Sequence, residues 1–306
     1  MQSTRFFRFF RHLSLGTLRK TFARAMKRRL IGLSAEMAYN AMLALFPAIL
    51  AILTAIGLFQ DSLQRTFRGL AMQLSEVAPK EVLLLINNFA QEIHLTKNSG
   101  LFSLSFVLAI WISSGALSAA MNALDQIHKI PPEAARPFWK AKLISLGLTI
   151  GNILLLVIAS FLVFISHWIV RIIVHKSRVW ILLTVWRLLS WPLALGIVAI
   201  ACASIYRFGP SRWTPGTPIM PGAMLAAISW AILSALFRLY VENFGNYNKV
   251  YGAVGAVIVL LLWLQMTSLV LLLGDQLNVT VGEAMQPRKA QDRSRKAVKA
   301  KESKFS

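Results

Sequence analysis

The sequence predicts an all-α, polytopic membrane protein of six transmembrane helices, with an amphipathic helical hairpin between the first and second. Three observations predict it. Hydrophobic residues make up 56% of the 306 residues and charged residues only 15%. The mean hydropathy of +0.59 exceeds that of an ordinary water-soluble domain. Six apolar stretches reach the roughly 20 residues that a helix needs to cross a hydrocarbon core about 30 Å thick.

Residues 1–31 form a basic segment. Between Arg5 and Arg29, nine Lys and Arg alternate with Phe6, Phe7, Phe9, Phe10, Leu13, Leu15, Leu18, Phe22 and Met26, the composition of an interfacial helix on anionic lipid. Residues 32–280 hold the transmembrane domain. Its first apolar stretch, 35–59, is longer than the apolar core of a signal peptide and reads as a retained span. Pro47 follows Phe46 near its middle.

In the segment that follows, Leu63, Phe67, Leu70 and Leu74 recur at helical spacing. So do Val82, Ile86, Phe89 and Ile93 after Pro79, which suits a helix start. The reading is an outer helical hairpin over 61–97, on the outer leaflet or capping the bundle, with four acids against four bases in 61–100. Spans at 101–121 and 143–170 come next. Small residues gather in the second, at Ser113, Ser114, Gly115, Ser118, Ala119 and Ala120, the usual device for close helix approach in lipid. Asn122 and Asp125 sit at its end as helix-end polar groups.

The fourth span, 179–206, carries Pro192 after Trp191, matching the first span. Paired prolines in two three-helix halves fit an inverted repeat around a midplane site, but the halves otherwise resemble each other weakly and simple kinking is the favoured reading. The fifth and sixth spans are 219–240 and 251–277, with Gly252, Gly255 and Ala256 as packing positions in the sixth. Residues 281–306 read as a basic disordered tail.

Six crossings put both termini on one side. That side collects 23 Lys and Arg and the opposite side 8, so the positive-inside rule places both termini in the cytoplasm of a plasma-membrane protein. A net charge of +21 is compatible with nucleic-acid binding, yet 17 of the 33 Lys and Arg lie in the two tails, and no nucleic-acid partner is expected. Cys202, the single cysteine, reads as an inert thiol and excludes disulfides within the chain.

Ionisable and strongly polar side chains within spans are costly in lipid and are therefore the candidate site residues. They are Glu36 and Asn40 in the first span, Arg187 in the fourth, Arg238 and Glu242 at the outer end of the fifth, and Gln265 and Asp275 in the sixth. One reading has Arg187 and Arg238 hold an anionic head group while the hairpin guides acyl chains. In the other, Arg238 and Glu242 form an i,i+4 pair, Glu36 snorkels, and Asp275 pairs with an Arg or Lys at the cytoplasmic interface. Tyr247 and Tyr251 read as outer-interface anchors.

The last third carries Tyr206-Arg207-Phe208-Gly209-Pro210, Pro221-Gly222-Ala223, Trp230, Tyr240-Val241, Phe244-Gly245, Tyr247-Asn248, Tyr251-Gly252-Ala253, Leu261-Leu262-Trp263-Leu264 and Leu273-Gly274-Asp275-Gln276-Leu277-Asn278. Upstream stand Ala38-Tyr39 with Phe46-Pro47, then Asn122, Arg136 and Trp139. Over roughly 30–280 this pattern resembles the YihY/BrkB family of bacterial inner-membrane proteins.

The resemblance implies a six-helix inner-membrane protein without an agreed biochemical activity, from a family linked to virulence, serum resistance and envelope lipid handling. The family once carried a ribonuclease label. A metal-dependent nuclease needs clustered His and carboxylate ligands, whereas His12, His94, His128, His167 and His175 are scattered along the chain. No enzyme activity, metal or other cofactor is expected. No Gly-rich Lys-Ser/Thr loop is present to hold ATP.

The leading functional expectation is a protein that handles or translocates a lipid or amphipathic envelope component. The alternatives are a non-transporting structural or interaction protein for envelope assembly, and a solute exporter. Expected partners are membrane lipids, anionic lipid at the basic tails, envelope-assembly proteins and further copies of the chain in a homo-oligomer.

Overall fold

A computed structural model describes residues 9, 11–58, 99–173, 180–212, 217–243 and 245–285. Among them are seven α-helices and one short 3-10 turn: α1 (Leu15–Lys27), α2 (Leu30–Leu58), α3 (Ser99–Ile127), the turn Pro132–Ala134, α4 (Phe138–Ile173), α5 (Trp180–Phe208), α6 (Met220–Asn243) and α7 (Gly245–Met285). The all-α architecture is as the composition predicts. The expected hairpin over 61–97 lies outside the described residues, and so do the side chains of Tyr247 and Tyr251, the expected outer-interface anchors.

Each of the six long helices overlaps one predicted span and runs past its apolar window. Five are long and apolar enough to cross a membrane: Leu30–Ile49, Phe106–Ile127, Phe138–Ala159, Met220–Glu242 and Val254–Met285. In α5 the described apolar stretch is the shorter Pro192–Phe208. At 41 residues α7 is about 60 Å long, twice a hydrocarbon core. It continues through 281–285, which the sequence reading gives to the tail. Val281 is fully buried there, packed with Phe9 and Leu277. Pro47 and Pro192 lie inside continuous helices and break neither.

The outward surface is hydrocarbon-like. Met224, Ile228, Ile232, Leu236 and Leu239 form an exposed stripe along α6, and Ile150, Ile153, Leu154, Val157 and Ile158 are exposed on α4. Contiguous apolar surface of this extent is a liability in water and ordinary in lipid.

Small residues instead fill the interior. Ala119, Ala120 and Ala123 of α3, with Leu124 and Ile127, pack against Met37 of α2, Tyr206 of α5, Ala223 of α6 and Leu272 of α7. Gly115 faces Asn40 so closely that a Cβ there would stand 2.9 Å from Asn40 Oδ1. Helix α2 therefore packs along α3, and α7 closes against α2 and α6.

Helix α1 docks on the last turns of α7. We call this the basal end, where both chain-terminal segments meet. Ser14 caps α1 by accepting from Thr17 N at 3.3 Å. Arg24 and Lys27 occupy its last turn, where cations complement the helix dipole. Only Arg28 and Arg29 separate α1 from α2, and Arg29 takes a positive φ of 54° to make the corner. Lys129, with φ 56°, ends α3 similarly: Ile130 N donates to Asp125 O and Lys129 N to Gln126 O.

Candidate functional site

The sharpest concentration of buried polar groups lies at the basal end, built on the last turns of α7. Asp275, Gln276, Asn278 and Thr280 are all at most 1% exposed, in a helix that is otherwise mostly apolar. Unpartnered polar atoms in such a place would each cost several kcal/mol. Each of these four residues has a partner from another element or from its own helix.

Asp275 faces His128, just past the end of α3. The Nε2–Oδ2 distance is 3.0 Å and both side chains are 2% exposed, the geometry of an N–H donated to a carboxylate. Arg28 reaches into the same layer, its Nη1 donating to Gln276 Oε1 at 2.7 Å and to Ile127 O at 2.5 Å. Burial pushes the Arg28 guanidinium below its ordinary range and neighbouring Arg24 adds to this, while Glu283 and Asp275 oppose. Gln276 Nε2 donates to Thr280 Oγ1 at 3.1 Å, and Thr280 Oγ1 donates to Gln276 O at 2.8 Å.

One turn further out, Arg24 Nη2 meets Glu283 Oε2 at 2.5 Å and its Nη1 donates to Thr280 Oγ1 at 3.4 Å. Lys129 Nζ meets the other Glu283 oxygen at 3.3 Å. The network thus ties α1, the end of α3 and α7 together.

Asn278 caps the start of α6. Its Oδ1 accepts from Gly222 N at 2.9 Å, satisfying an N–H that a helix start leaves open, and its Nδ2 donates to Ile219 O at 3.1 Å. Gly222 has to be glycine, because a Cβ would overlap the Asn278 carboxamide. Gly274 is equally constrained by the Tyr206 hydroxyl, Ala226 and Gly222 O, and the Tyr206 hydroxyl donates to Leu271 O at 2.6 Å.

A second polar clip closes the other side of the basal end. Asp125 accepts from Ser211 N and Ser211 Oγ, both at 2.6 Å. Arg136 donates to the carbonyls of Phe208, Gly209 and Pro210 at 2.7–3.1 Å, covering the open end of α5.

The sequence-predicted site residues do not converge on one cavity among the described side chains. Asp275 belongs to the basal network. Glu36 is exposed and its backbone O accepts from Asn40 Nδ2 at 2.9 Å. Gln265 is half-buried midway along α7. Arg238 Nε meets Glu242 Oε1 at 3.1 Å at the far end of α6. Arg187 lies on α5, with its side chain outside the described set.

Sequence reasoning missed Arg24, Arg28 and His128 as members of the network. The available signal was the polar run 275–280 at the end of a very apolar helix. No group of three or more His, Cys, Asp or Glu comes together among the described residues.

An apolar groove lies between α4 and α5. Ile144, Gly147, Leu148, Gly151, Asn152, Leu155, Ser204 and Phe208 line about 370 Å³. A Cβ at Gly147 or Gly151 would meet nothing within 4 Å. Asn152 donates its Nδ2 to Leu148 O at 2.8 Å; its Oδ1 is buried without a hydrogen-bond partner.

Together these features define a class: a multi-pass helical membrane protein in which a buried polar network joins its first and last described helices. A family model described as Virulence factor BrkB matches residues 21–299, and the chain belongs to that family.

The protein is 29% identical over 248 residues to the "Putative ribonuclease-like protein YfkH" of Bacillus subtilis, covering 80% of this chain and 87% of that one. It is 34% identical over 104 residues to a UPF0761 membrane protein of Alteromonas mediterranea, about a third of each chain. Against a UPF0761 membrane protein of Xanthomonas oryzae it is 25% identical over 254 residues, 81% of this chain and 56% of that relative. The chain therefore spans about half the length of the Xanthomonas protein. No solved structure matches. The family is one of membrane proteins and is not a known enzyme family; the ribonuclease-like name is that relative's alone among those compared.

Proposed function

We propose that the protein handles or translocates a lipid or other amphipathic envelope component, and that the groove between α4 and α5 receives its apolar part. The supporting observation is the groove's chemistry: an apolar trough with one buried, unpartnered acceptor, Asn152 Oδ1. Such a site suits a molecule with a hydrocarbon portion and a hydrogen-bond donor. From Ile144 to Leu155 the groove follows about 16 Å of α4. That is about half of a hydrocarbon core, the depth of one leaflet. Arg187 and Arg238 keep their proposed part as contacts for an anionic head group, Arg238 by exchanging Glu242 for it.

The test is reconstitution of the purified protein in vesicles and measurement of labelled-lipid movement between leaflets. Gly151→Leu fills the groove from a position with open space. It is expected to abolish the protein-dependent movement while leaving thermal stability unchanged. Arg187→Ala and Arg238→Ala are expected to slow movement of anionic lipid more than neutral lipid. Rates equal to those of empty vesicles for the unmodified protein contradict translocation and favour the non-transporting, assembly role.

A further inference from the structure

Helix α1 has three faces with different environments. Thr21 and Ala25 are buried, and with Arg24 they form the side held on α7. Leu15, Leu18, Phe22 and Met26, spaced three or four apart, form an apolar stripe that is 87%, 47%, 65% and 52% exposed. Arg19, Lys20 and Lys27 are exposed on the remaining side. At 100° per residue, the stripe's centre and the cationic side's centre are about 120° apart on the helix, with Arg19 at the stripe's edge.

The clamp fixes which way these faces point. Arg24 is joined to Glu283 and Thr280, and Arg28, directly after the helix, is joined to Gln276 and Ile127. Helix α1 therefore cannot roll to bury its stripe against the bundle without breaking these bonds. Its last residue, Lys27, is three positions before Leu30, the first residue of a membrane-spanning helix. Three residues reach at most about 11 Å, so the end of α1 is held at the level of the membrane surface.

We infer that α1 is an in-plane membrane-surface helix that docks on anionic lipid. The stripe of Leu15, Leu18, Phe22 and Met26 enters the acyl boundary, and Arg19, Lys20 and Lys27 meet lipid phosphates. An exposed apolar stripe beside a cationic face is complementary to a surface that is apolar beneath and anionic above. This docking is independent of the groove and stands whether or not lipid crosses the membrane through the protein.

The test uses the full-length protein with its only cysteine removed by Cys202→Ala, reconstituted at low protein-to-lipid ratio. A fluorophore is attached through Phe22→Cys, through Leu18→Cys in a second variant, and through Lys20→Cys as the cationic-face control. Lipids brominated along their acyl chains then report depth by quenching, in phosphatidylcholine vesicles with and without phosphatidylglycerol.

The expected result is quenching at positions 18 and 22 several-fold greater than at position 20. Including phosphatidylglycerol is expected to increase it. High salt, or Arg19→Gln/Lys20→Gln/Lys27→Gln carried with the label at position 22, is expected to reduce it. Equal quenching at the stripe and control positions overturns the inference, and so does stripe quenching that ignores phosphatidylglycerol. Shielding of positions 18 and 22 from both brominated lipid and an aqueous quencher, rising with protein density, also overturns it and assigns the stripe to a second copy of the chain.

Discussion

Asp275 and His128 show how a carboxylate is kept within a membrane helix. Neither has access to solvent, and each is the other's partner at 3.0 Å. Removing one member of a buried pair strands the other at a cost of roughly 3–5 kcal/mol, whereas replacing both with apolar groups costs far less. Asp275→Ala is accordingly expected to lower the thermal unfolding midpoint in detergent sharply, and His128→Leu with Asp275→Leu to recover most of the loss. A double variant as unstable as the sum of the two single variants contradicts this pairing.

Gly222 and Asn278 make a second residue-scale case. Gly222→Ala drives a Cβ into the Asn278 carboxamide and is expected to cost about 1–3 kcal/mol. In an Asn278→Ala background the same change is expected to cost much less, read as a smaller drop in the unfolding midpoint. Both residues stand in the sequence motifs, but their contact joins positions 56 apart, and nothing local in the chain marks it.

At the scale of elements, the apolar windows located every long helix yet ended most of them early. Hydropathy reports where a helix is surrounded by lipid. It is blind to turns whose polar side chains are satisfied by other helices. The end of α7 is the clearest instance: residues 275–281 look like an exit from the membrane, but their partners on α1, α3 and α6 keep them helical and buried.

Helix α1 was legible as an amphipathic basic segment, and its composition suggested lipid on every apolar residue. The structure divides those residues between two surroundings: Phe9 packs with Leu277 and Val281, while Leu15, Leu18, Phe22 and Met26 stay exposed. The partners of Arg24 and Arg28 lie 259 and 248 positions away, so the sequence offered no local cue to the clamp. Arg24→Ala removes one of its two anchors. It is expected to raise protease cleavage within α1 of the protein in detergent several-fold while the six long helices stay intact. Unchanged cleavage there contradicts the clamp.

For the whole molecule, the governing condition is the solvent. Apolar residues point outward along α4 and α6, small residues face inward from α3, and the buried Asp275, Gln276, Asn278 and Thr280 cluster where α1 meets the end of α7. Water would penalise that arrangement, and lipid favours it. That most of the chain is surrounded by lipid was readable from composition and from the length of the apolar stretches. The location of the site was not, because it depends on side chains brought together from opposite ends of the chain.

The junction of α1 with the end of α7 carries a prediction, that both terminal segments lie on the same side of the membrane that the bundle spans. Its most direct measurement is labelling with a membrane-impermeant thiol reagent, in a Cys202→Ala background, of single cysteines introduced by Arg11→Cys and by Ser303→Cys. With sealed inverted and right-side-out membrane vesicles, both positions are predicted to label in the same preparation and to be protected in the other. Labelling of the two positions from opposite sides would contradict the account.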